Sequence, residues 1–113
     1  MSIVVRLQME GTHSWPGVVD HPDLEEVHFL QYPHRHIFHI ELRKRVEHDD
    51  RDVEIIAFKR LVESRLAKWY PQGNMGSTSC EMLAKRLAQH FVCSYVEVTE
   101  DGENGACFEW ERV

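Results

Sequence analysis

The sequence predicts an α+β fold in which a four-stranded antiparallel sheet carries two helices on one face, in the order β-β-α-α-β-β. Apolar and polar residues alternate in two runs before residue 47 and in two more after residue 93, which is the period of half-buried strands. Between these runs, two segments repeat apolar residues every three or four positions, as amphipathic helices do. A sheet that packs both helices against one face accommodates all of these patterns.

The first two strands are predicted at residues 3–9 and 34–46. In the earlier run Ile3, Val5 and Leu7 fall on one face of the strand. The intervening residues 11–31 contain two prolines and several acidic residues, so we predict a long excursion there, with a short extra strand at 27–30. A long loop in a small domain often carries function.

Both helices have recognisable start signals. The first helix is predicted at 53–69, with Asp50 or Asp52 as its N-cap. A linker with one proline and two glycines follows it. The second helix is predicted to begin near Thr78 and Glu81, because these two residues have the spacing of a capping box.

The chain closes with a predicted hairpin of residues 94–100 and 105–111, joined by a short turn that contains glycine and asparagine. Two helices on one face leave the other face of the sheet without a cover. Six residues supply more apolar sheet surface than a monomer should expose: Phe38, Ile40, Val96, Val98, Phe108 and Trp110. We therefore expect self-association.

Composition limits the class of protein. The 113 residues are predicted to form one domain, 1–113, and the net charge of -6 argues against nucleic acid as a partner. No apolar run is long enough for a membrane span, and the start of the chain lacks the pattern of a secretion signal, so we expect no membrane partner and a cytoplasmic protein. The three cysteines have no CxxC spacing and are expected to be reduced.

The strongest signal for chemistry is a histidine pair at the start of the second strand. His34 and His36 are two residues apart, so their side chains project from the same face. Two imidazoles on a rigid face can bind zinc if a third ligand joins them, and His13, at the end of the preceding strand, is the best candidate. A solvated histidine pair at a strand end would give the same local pattern.

In order along the chain, the motifs resemble those of the 6-pyruvoyl-tetrahydropterin synthase and 6-carboxy-tetrahydropterin synthase (QueD-like) family. His13 stands at the place of that family's first zinc histidine, and residues 34–38 resemble its His-Gly-His-Asn-Tyr motif. Residues 53–61 are similar to the start of the family's first helix, and 77–84 to its Pro-Thr-x-Glu-Asn-Leu-Ala helix start. Residues 96–100 resemble the strand that ends in the family's ring-anchoring glutamate.

The resemblance implies a tunnelling fold (T-fold) and a homo-oligomer, of which a hexamer is one form, with barrels closed between subunits. It also implies a zinc ion held by His13, His34 and His36 with an open fourth position. Glu100 would hold the aminopyrimidinone edge of a pterin- or purine-like ring, several ångströms from the metal. Glu81 would contact the ligand, although it also fits a structural role as the capping-box partner of Thr78.

The sequence departs from the family at its proton relay. Residues 14–33 contain no cysteine, the Leu-Asp-His motif expected after the first helix is missing, and Arg35 replaces the glycine between the zinc histidines. The catalytic base is therefore unknown. His28 and His39 are candidates to replace it, with surface or cross-strand packing as the alternative for both.

Three functions follow from these observations. The preferred one is a zinc-dependent pterin synthase-like lyase or isomerase, acting on a pterin- or purine-type small molecule with an incomplete proton relay. The alternative is a non-catalytic T-fold binding or scaffold protein that has lost the synthase activity. A histidine-rich protein of a different fold is the third.

Overall fold

The computed structural model describes residues 1–111 and contains the predicted four-stranded antiparallel sheet. Strand β1 (Ser2–His13) pairs with β2 (His34–Arg45) over its full length, so that His13 lies opposite His34. Strand β3 (Tyr95–Glu100) pairs with the other side of β2, and β4 (Asn104–Glu109) forms the outer edge. The strand order is β1-β2-β3-β4.

Two helices cover one face of this sheet, which confirms the predicted α+β architecture. Helix α1 (Ile55–Trp69) and helix α2 (Cys80–Phe91) bury their apolar faces in one core with alternate residues of the strands. We call the face beneath the helices the inner face and the opposite one the outer face. Within the described residues, no helix has both the length and the apolar composition needed to cross a membrane.

Helix α1 begins two residues later than predicted and has a different N-cap. The Glu54 carboxylate accepts a hydrogen bond from the backbone N–H of Ala57, so neither Asp50 nor Asp52 caps the helix. Asp52 instead accepts a bond from the backbone N–H of Glu47 at 2.7 Å, within the turn that leaves β2. The predicted cap is wrong because this turn uses the aspartate before the helix starts.

Helix α2 is capped by Ser79 rather than Thr78. The Ser79 hydroxyl accepts a hydrogen bond from the backbone N–H of Met82 at 3.1 Å. The predicted capping box is therefore wrong by one position, and Glu81 lies in the first turn without being the partner of Thr78. This shift frees the backbone carbonyl of Thr78 for a contact with the histidine group described below.

The excursion after β1 folds into two 3-10 helical segments, Pro16–Asp20 and Pro22–Gln31, and the short strand predicted at 27–30 is absent there. Each segment starts with a proline, whose fixed φ favours a helical turn. The backbone N–H of Trp15 donates to the carbonyl of Leu30 at 2.7 Å. This bond closes the excursion back on itself beside the ends of β1 and β2.

The connector between the helices packs directly against β1. Gly73 has a φ of 74°, and a Cβ atom there would lie 2.5 Å from the carbonyl oxygen of Glu10. The backbone N–H of Met75 donates to the carbonyl of Thr12 at 2.9 Å. Glycine is needed for both the backbone conformation and the close approach. The connector thereby holds the start of α2 next to the last residue of β1.

The apolar sheet residues expected to drive self-association are covered within the monomer. Phe38, Ile40, Val96 and Val98 are at most 2% exposed and lie under the helices. The two remaining residues, Phe108 and Trp110, are half-buried. The premise of an uncovered apolar sheet face is therefore wrong, because most apolar residues of the strands project toward the helices and the outer face is mostly polar.

Candidate metal centre

Three histidines meet at one end of the inner face. His13 is the last residue of β1, and His34 and His36 are the first and third residues of β2. The ring centroids lie 4.5 Å apart for His13 and His34, 5.1 Å for His34 and His36, and 5.6 Å for His13 and His36. The antiparallel register brings them together, because His13 pairs with His34 and Gly11 pairs with His36.

Each of these rings uses its Nδ1 atom for a hydrogen bond to an oxygen acceptor outside the group. The acceptors are the Thr78 carbonyl for His13 at 2.8 Å, the Tyr32 carbonyl for His34 at 2.9 Å and the Asp101 carboxylate for His36 at 2.7 Å. An oxygen that only accepts requires the proton on Nδ1, so each neutral ring keeps its lone pair on Nε2. Metal-binding histidines are held in this way by their surroundings.

Asp101, in the turn after β3, joins that turn to β2 by two hydrogen bonds. One carboxylate oxygen accepts the bond from His36, and the other accepts one from the backbone N–H of Ile37 at 2.9 Å. The bond from Ile37, followed by that from His36, lowers the pKa of Asp101 below its ordinary value of 3.8. Asp101 was not among the residues predicted from the sequence. Its position in an Asp-Gly turn directly after Glu100 was the available signal.

Glu100 enters the histidine group from β3. One of its carboxylate oxygens lies 2.8 Å from Nε2 of His13 and 3.5 Å from Nε2 of His36. Glu100 was predicted to lie several ångströms from the metal, and its carboxylate instead lies directly against two of the predicted ligand histidines. The register explains this position, because β3 places Glu100 opposite Phe38, two residues from His36 on the same face of the sheet.

The contact between Glu100 and His13 lacks a suitable hydrogen bond. Nε2 of His13 is buried and has no hydrogen-bond partner within residues 1–111, although the Glu100 oxygen is close. With the ring proton on Nδ1, a lone pair faces a carboxylate oxygen. Two acceptors at this distance repel each other, and a buried polar atom without a partner is costly. A cation between them would remove both penalties.

The four side chains fit a divalent metal ion. One ligand atom from each of His13, His34, His36 and Glu100 can be chosen so that all four lie within 4.8 Å of one another. Zinc bonds of about 2.0 to 2.2 Å place neighbouring tetrahedral ligand atoms about 3.4 Å apart. The Glu100 to His36 distance of 3.5 Å already has this value, and wider pairs need to contract by up to about 1.4 Å.

A cavity of about 470 Å³ lies beside the group. Its walls come from the end of β1, the start of α2 and the β3–β4 hairpin, and they include His13, His34, Glu100, Cys80 and Glu81. Burial, followed by the charges of Glu100 and Glu81, raises the pKa of the Cys80 thiol to about 12. The cavity thus holds two carboxylates and a thiol that stays protonated at neutral pH.

The structure brings neither of the candidate replacement bases to this cavity. His28 bonds to the backbone carbonyl of His21 at 3.0 Å and does not line the cavity. His39 lies on the outer face, where it lines a separate concavity with Arg6 and Glu41. Both residues are therefore remote from the histidine group within this chain.

The arrangement is thus a set of three oriented imidazoles and one carboxylate at the mouth of a small cavity. Such a set can bind a divalent cation and present it to a small molecule. No protein-family model matches this chain, and no curated protein sequence matches it.

Proposed function

We propose that this protein is a zinc-dependent, pterin synthase-like lyase or isomerase that acts on a pterin- or purine-type small molecule. The observation that carries the proposal is the orientation of His13, His34 and His36. Each ring donates from Nδ1 to a fixed oxygen, which leaves Nε2 free, and one ligand atom from each ring lies within 4.8 Å of those of the others. Packing alone does not require three rings to share this arrangement, whereas a metal ion does.

The cavity supports a small-molecule substrate. Its volume of about 470 Å³ lies within the range of about 300 to 1,000 Å³ that is typical of ligand sites. Glu100 and Glu81 supply carboxylates that can accept N–H bonds from an aminopyrimidinone edge. When bound, zinc would polarise a substrate carbonyl or hydroxyl and ease proton removal from the adjacent carbon.

The proton relay of this proposed enzyme differs from that of the family it resembles. Cys80 is the cysteine in the cavity wall, and a pKa of about 12 keeps its thiol protonated at neutral pH. It is therefore suited to donate a proton rather than to remove one. Glu81 and Glu100 are the carboxylates in the same wall and are the available bases.

The second candidate is a non-catalytic T-fold protein that binds a ligand or serves as a scaffold. Its support is the position of Glu100, whose oxygen lies 2.8 Å from Nε2 of His13 and could occupy the coordination position a substrate would need. Structural zinc sites have four protein ligands, whereas catalytic sites keep one position open. Turnover of pterin compounds would support the enzyme, and binding without turnover would support this alternative.

The proposed function also includes a homo-oligomer. Its support is the resemblance to the T-fold family, together with the positions of β1 and β4 as the two outer strands of the sheet. Such edges can pair with those of another subunit. Light scattering at micromolar concentration distinguishes an oligomer from a 13.3 kDa monomer.

The metal is tested by elemental analysis of protein purified without a histidine tag. We expect about one zinc per chain in the wild type and loss of that zinc in His34→Ala and His36→Ala. His39→Ala is the matched control, because it removes a histidine from the outer face of the same strand. Wild-type protein without metal, or metal content unchanged in both variants, would contradict the proposal.

A further inference from the structure

We infer that Glu100 is the fourth protein ligand of the metal and that it must leave the metal when a ring binds with both N–H groups of its edge. This inference rests on the proposed zinc site. It assigns Glu100 a role that differs from ring anchoring alone.

The carboxylate already lies at a ligand position. Its distance of 3.5 Å from Nε2 of His36 matches the separation of about 3.4 Å between neighbouring ligands of tetrahedral zinc. Its distance of 2.8 Å from Nε2 of His13 is shorter, so these two atoms would move apart when an ion enters between them. Glu100 needs no change of strand or register to reach the metal.

The charge balance favours the same assignment. The side chain of His13 is only 10% exposed, and its Nε2 atom has no hydrogen-bond partner in residues 1–111. In that part of the chain, the ion pairs of Glu100 are with His13 and His36, and no lysine or arginine pairs with it. The carboxylate is 31% exposed and faces two ring nitrogens. A divalent ion would supply the positive charge that this arrangement lacks.

Two uses of Glu100 compete. A carboxylate that gives one oxygen to the metal keeps only the other for hydrogen bonding. An aminopyrimidinone edge has two parallel N–H groups and needs both oxygens for the paired contact. Zinc ligation by Glu100 and paired binding of such a ring are therefore mutually exclusive, and the carboxylate would control access to the fourth position.

The experiment compares zinc affinity and anion access in the full chain. Zinc dissociation constants are measured by competition with a chelator for wild type, Glu100→Gln and Glu100→Asp. Glu81→Gln is the matched control, because it removes the same charge from the wall of the same cavity. In parallel, each protein is loaded with Co²⁺ and titrated with azide, which binds to a metal position that is open.

We expect Glu100→Gln and Glu100→Asp to weaken zinc binding at least tenfold, with Glu81→Gln within threefold of wild type. Azide should change the cobalt spectrum of Glu100→Gln but not that of the wild type. Glu100→Asp keeps the charge and shortens the side chain, so it separates ligation from simple charge attraction.

Wild-type zinc affinity in both Glu100 variants, with azide binding equally to all proteins, would overturn the inference and leave the three-histidine site in place. Equal losses in Glu100→Gln and Glu81→Gln would also overturn it, because charge alone would then explain the effect. A wild-type protein that binds no zinc would instead refute the proposed function, and the inference with it.

Discussion

Strand β2 carries polar residues on both of its faces, and their surroundings differ. On the outer face, Arg35 pairs with Glu10 at 2.6 Å, and Glu41 receives contacts from both Arg6 and Arg43. On the inner face, Glu100 of β3 meets the Nε2 atoms of His13 and His36. Glu10 and Glu41 therefore have permanent cations as partners, whereas the ion pairs of Glu100 within residues 1–111 are with imidazoles.

Because of this difference, the inner group is the one of the two that could hold an external cation. Guanidinium groups stay protonated at every physiological pH, so the outer pairs are complete without a ligand. Imidazoles that donate from Nδ1 present lone pairs to Glu100 rather than protons. A metal ion would complete the inner group in the way that arginine completes the outer ones.

The largest expected effect is on the free energy of unfolding, when an apolar residue of the inner face is truncated and compared with one of the outer face. Leu42 is fully buried beneath the helices, and Leu42→Ala should lower the free energy of unfolding by about 2 to 5 kcal/mol, because it leaves a cavity. Val4, on the outer face of β1, is 40% exposed, and Val4→Ala should cost less than about 1 kcal/mol. Urea unfolding of both variants measures the difference. Similar losses would contradict the assignment of the faces.

An intermediate effect is expected when the tautomer of His36 is changed. Asp101→Asn keeps the size of the side chain but replaces one acceptor with a donor, while both neighbours, Nδ1 of His36 and the backbone N–H of Ile37, are donors. The NH₂ group of the new amide must therefore either face one of these donors or shift the ring proton of His36 from Nδ1 to Nε2. In the second case the Nε2 lone pair is no longer available to a metal. Zinc affinity should fall about 10- to 100-fold.

Chelator competition measures this affinity, and circular dichroism checks that the Asp101→Asn fold is retained. Glu103→Gln is a suitable control in the same hairpin turn, because the turn stays intact while the contact with His36 is untouched. Zinc affinity that is unchanged in Asp101→Asn would show that this carboxylate does not orient the ring.

The smallest effect concerns the outer face and depends on pH. Burial opposes ionisation of Glu41, but hydrogen bonds from Arg43 and Arg6 outweigh it and hold the pKa below 4.5. A lowered pKa in the folded state stabilises the protein above the ordinary carboxyl pKa, and this contribution is lost as the pH falls through the lowered value. Glu41→Gln should therefore cost about 0.5 to 1 kcal/mol at pH 7 and progressively less as the pH falls through the lowered pKa.

Thermal or urea unfolding of wild type and Glu41→Gln at several pH values provides the measurement. The two stability curves should converge in acid and separate above pH 5. A difference that persists unchanged at low pH would mean that the substitution acts through packing rather than through the two guanidinium groups.

The sequence predicted the elements better than their ends. Alternation located the strands, and three- and four-residue spacing located both helices, because these periods depend on which side of an element faces the core. The N-caps Glu54 and Ser79 were missed, since the choice of cap depends on which polar side chains the preceding turn already uses for its own hydrogen bonds. The extra strand at 27–30 was wrong because a proline-led segment formed 3-10 turns instead.

The grouping of residues in the candidate metal centre was predicted in part. The shared face of His34 and His36 follows from the strand period, while His13 joined them through its place at the end of the first strand and through the family resemblance. The proximity of Glu100 could not be inferred, because it depends on the register between β2 and β3. Periodicity also cannot show how much of a sheet two helices will cover. This is why the sequence wrongly predicted an apolar sheet face without a cover.

The acceptors behind the three histidines come from separate parts of the chain. Tyr32 ends the 3-10 excursion, Thr78 precedes α2, and Asp101 starts the β3–β4 turn. An ion bound by the rings exists only in the folded arrangement, so its binding free energy would stabilise the contacts of all three segments with the sheet. Metal loading should therefore protect the excursion, the interhelix connector and the hairpin turn together against hydrogen exchange, so that three loops distant in sequence open as one cooperative unit.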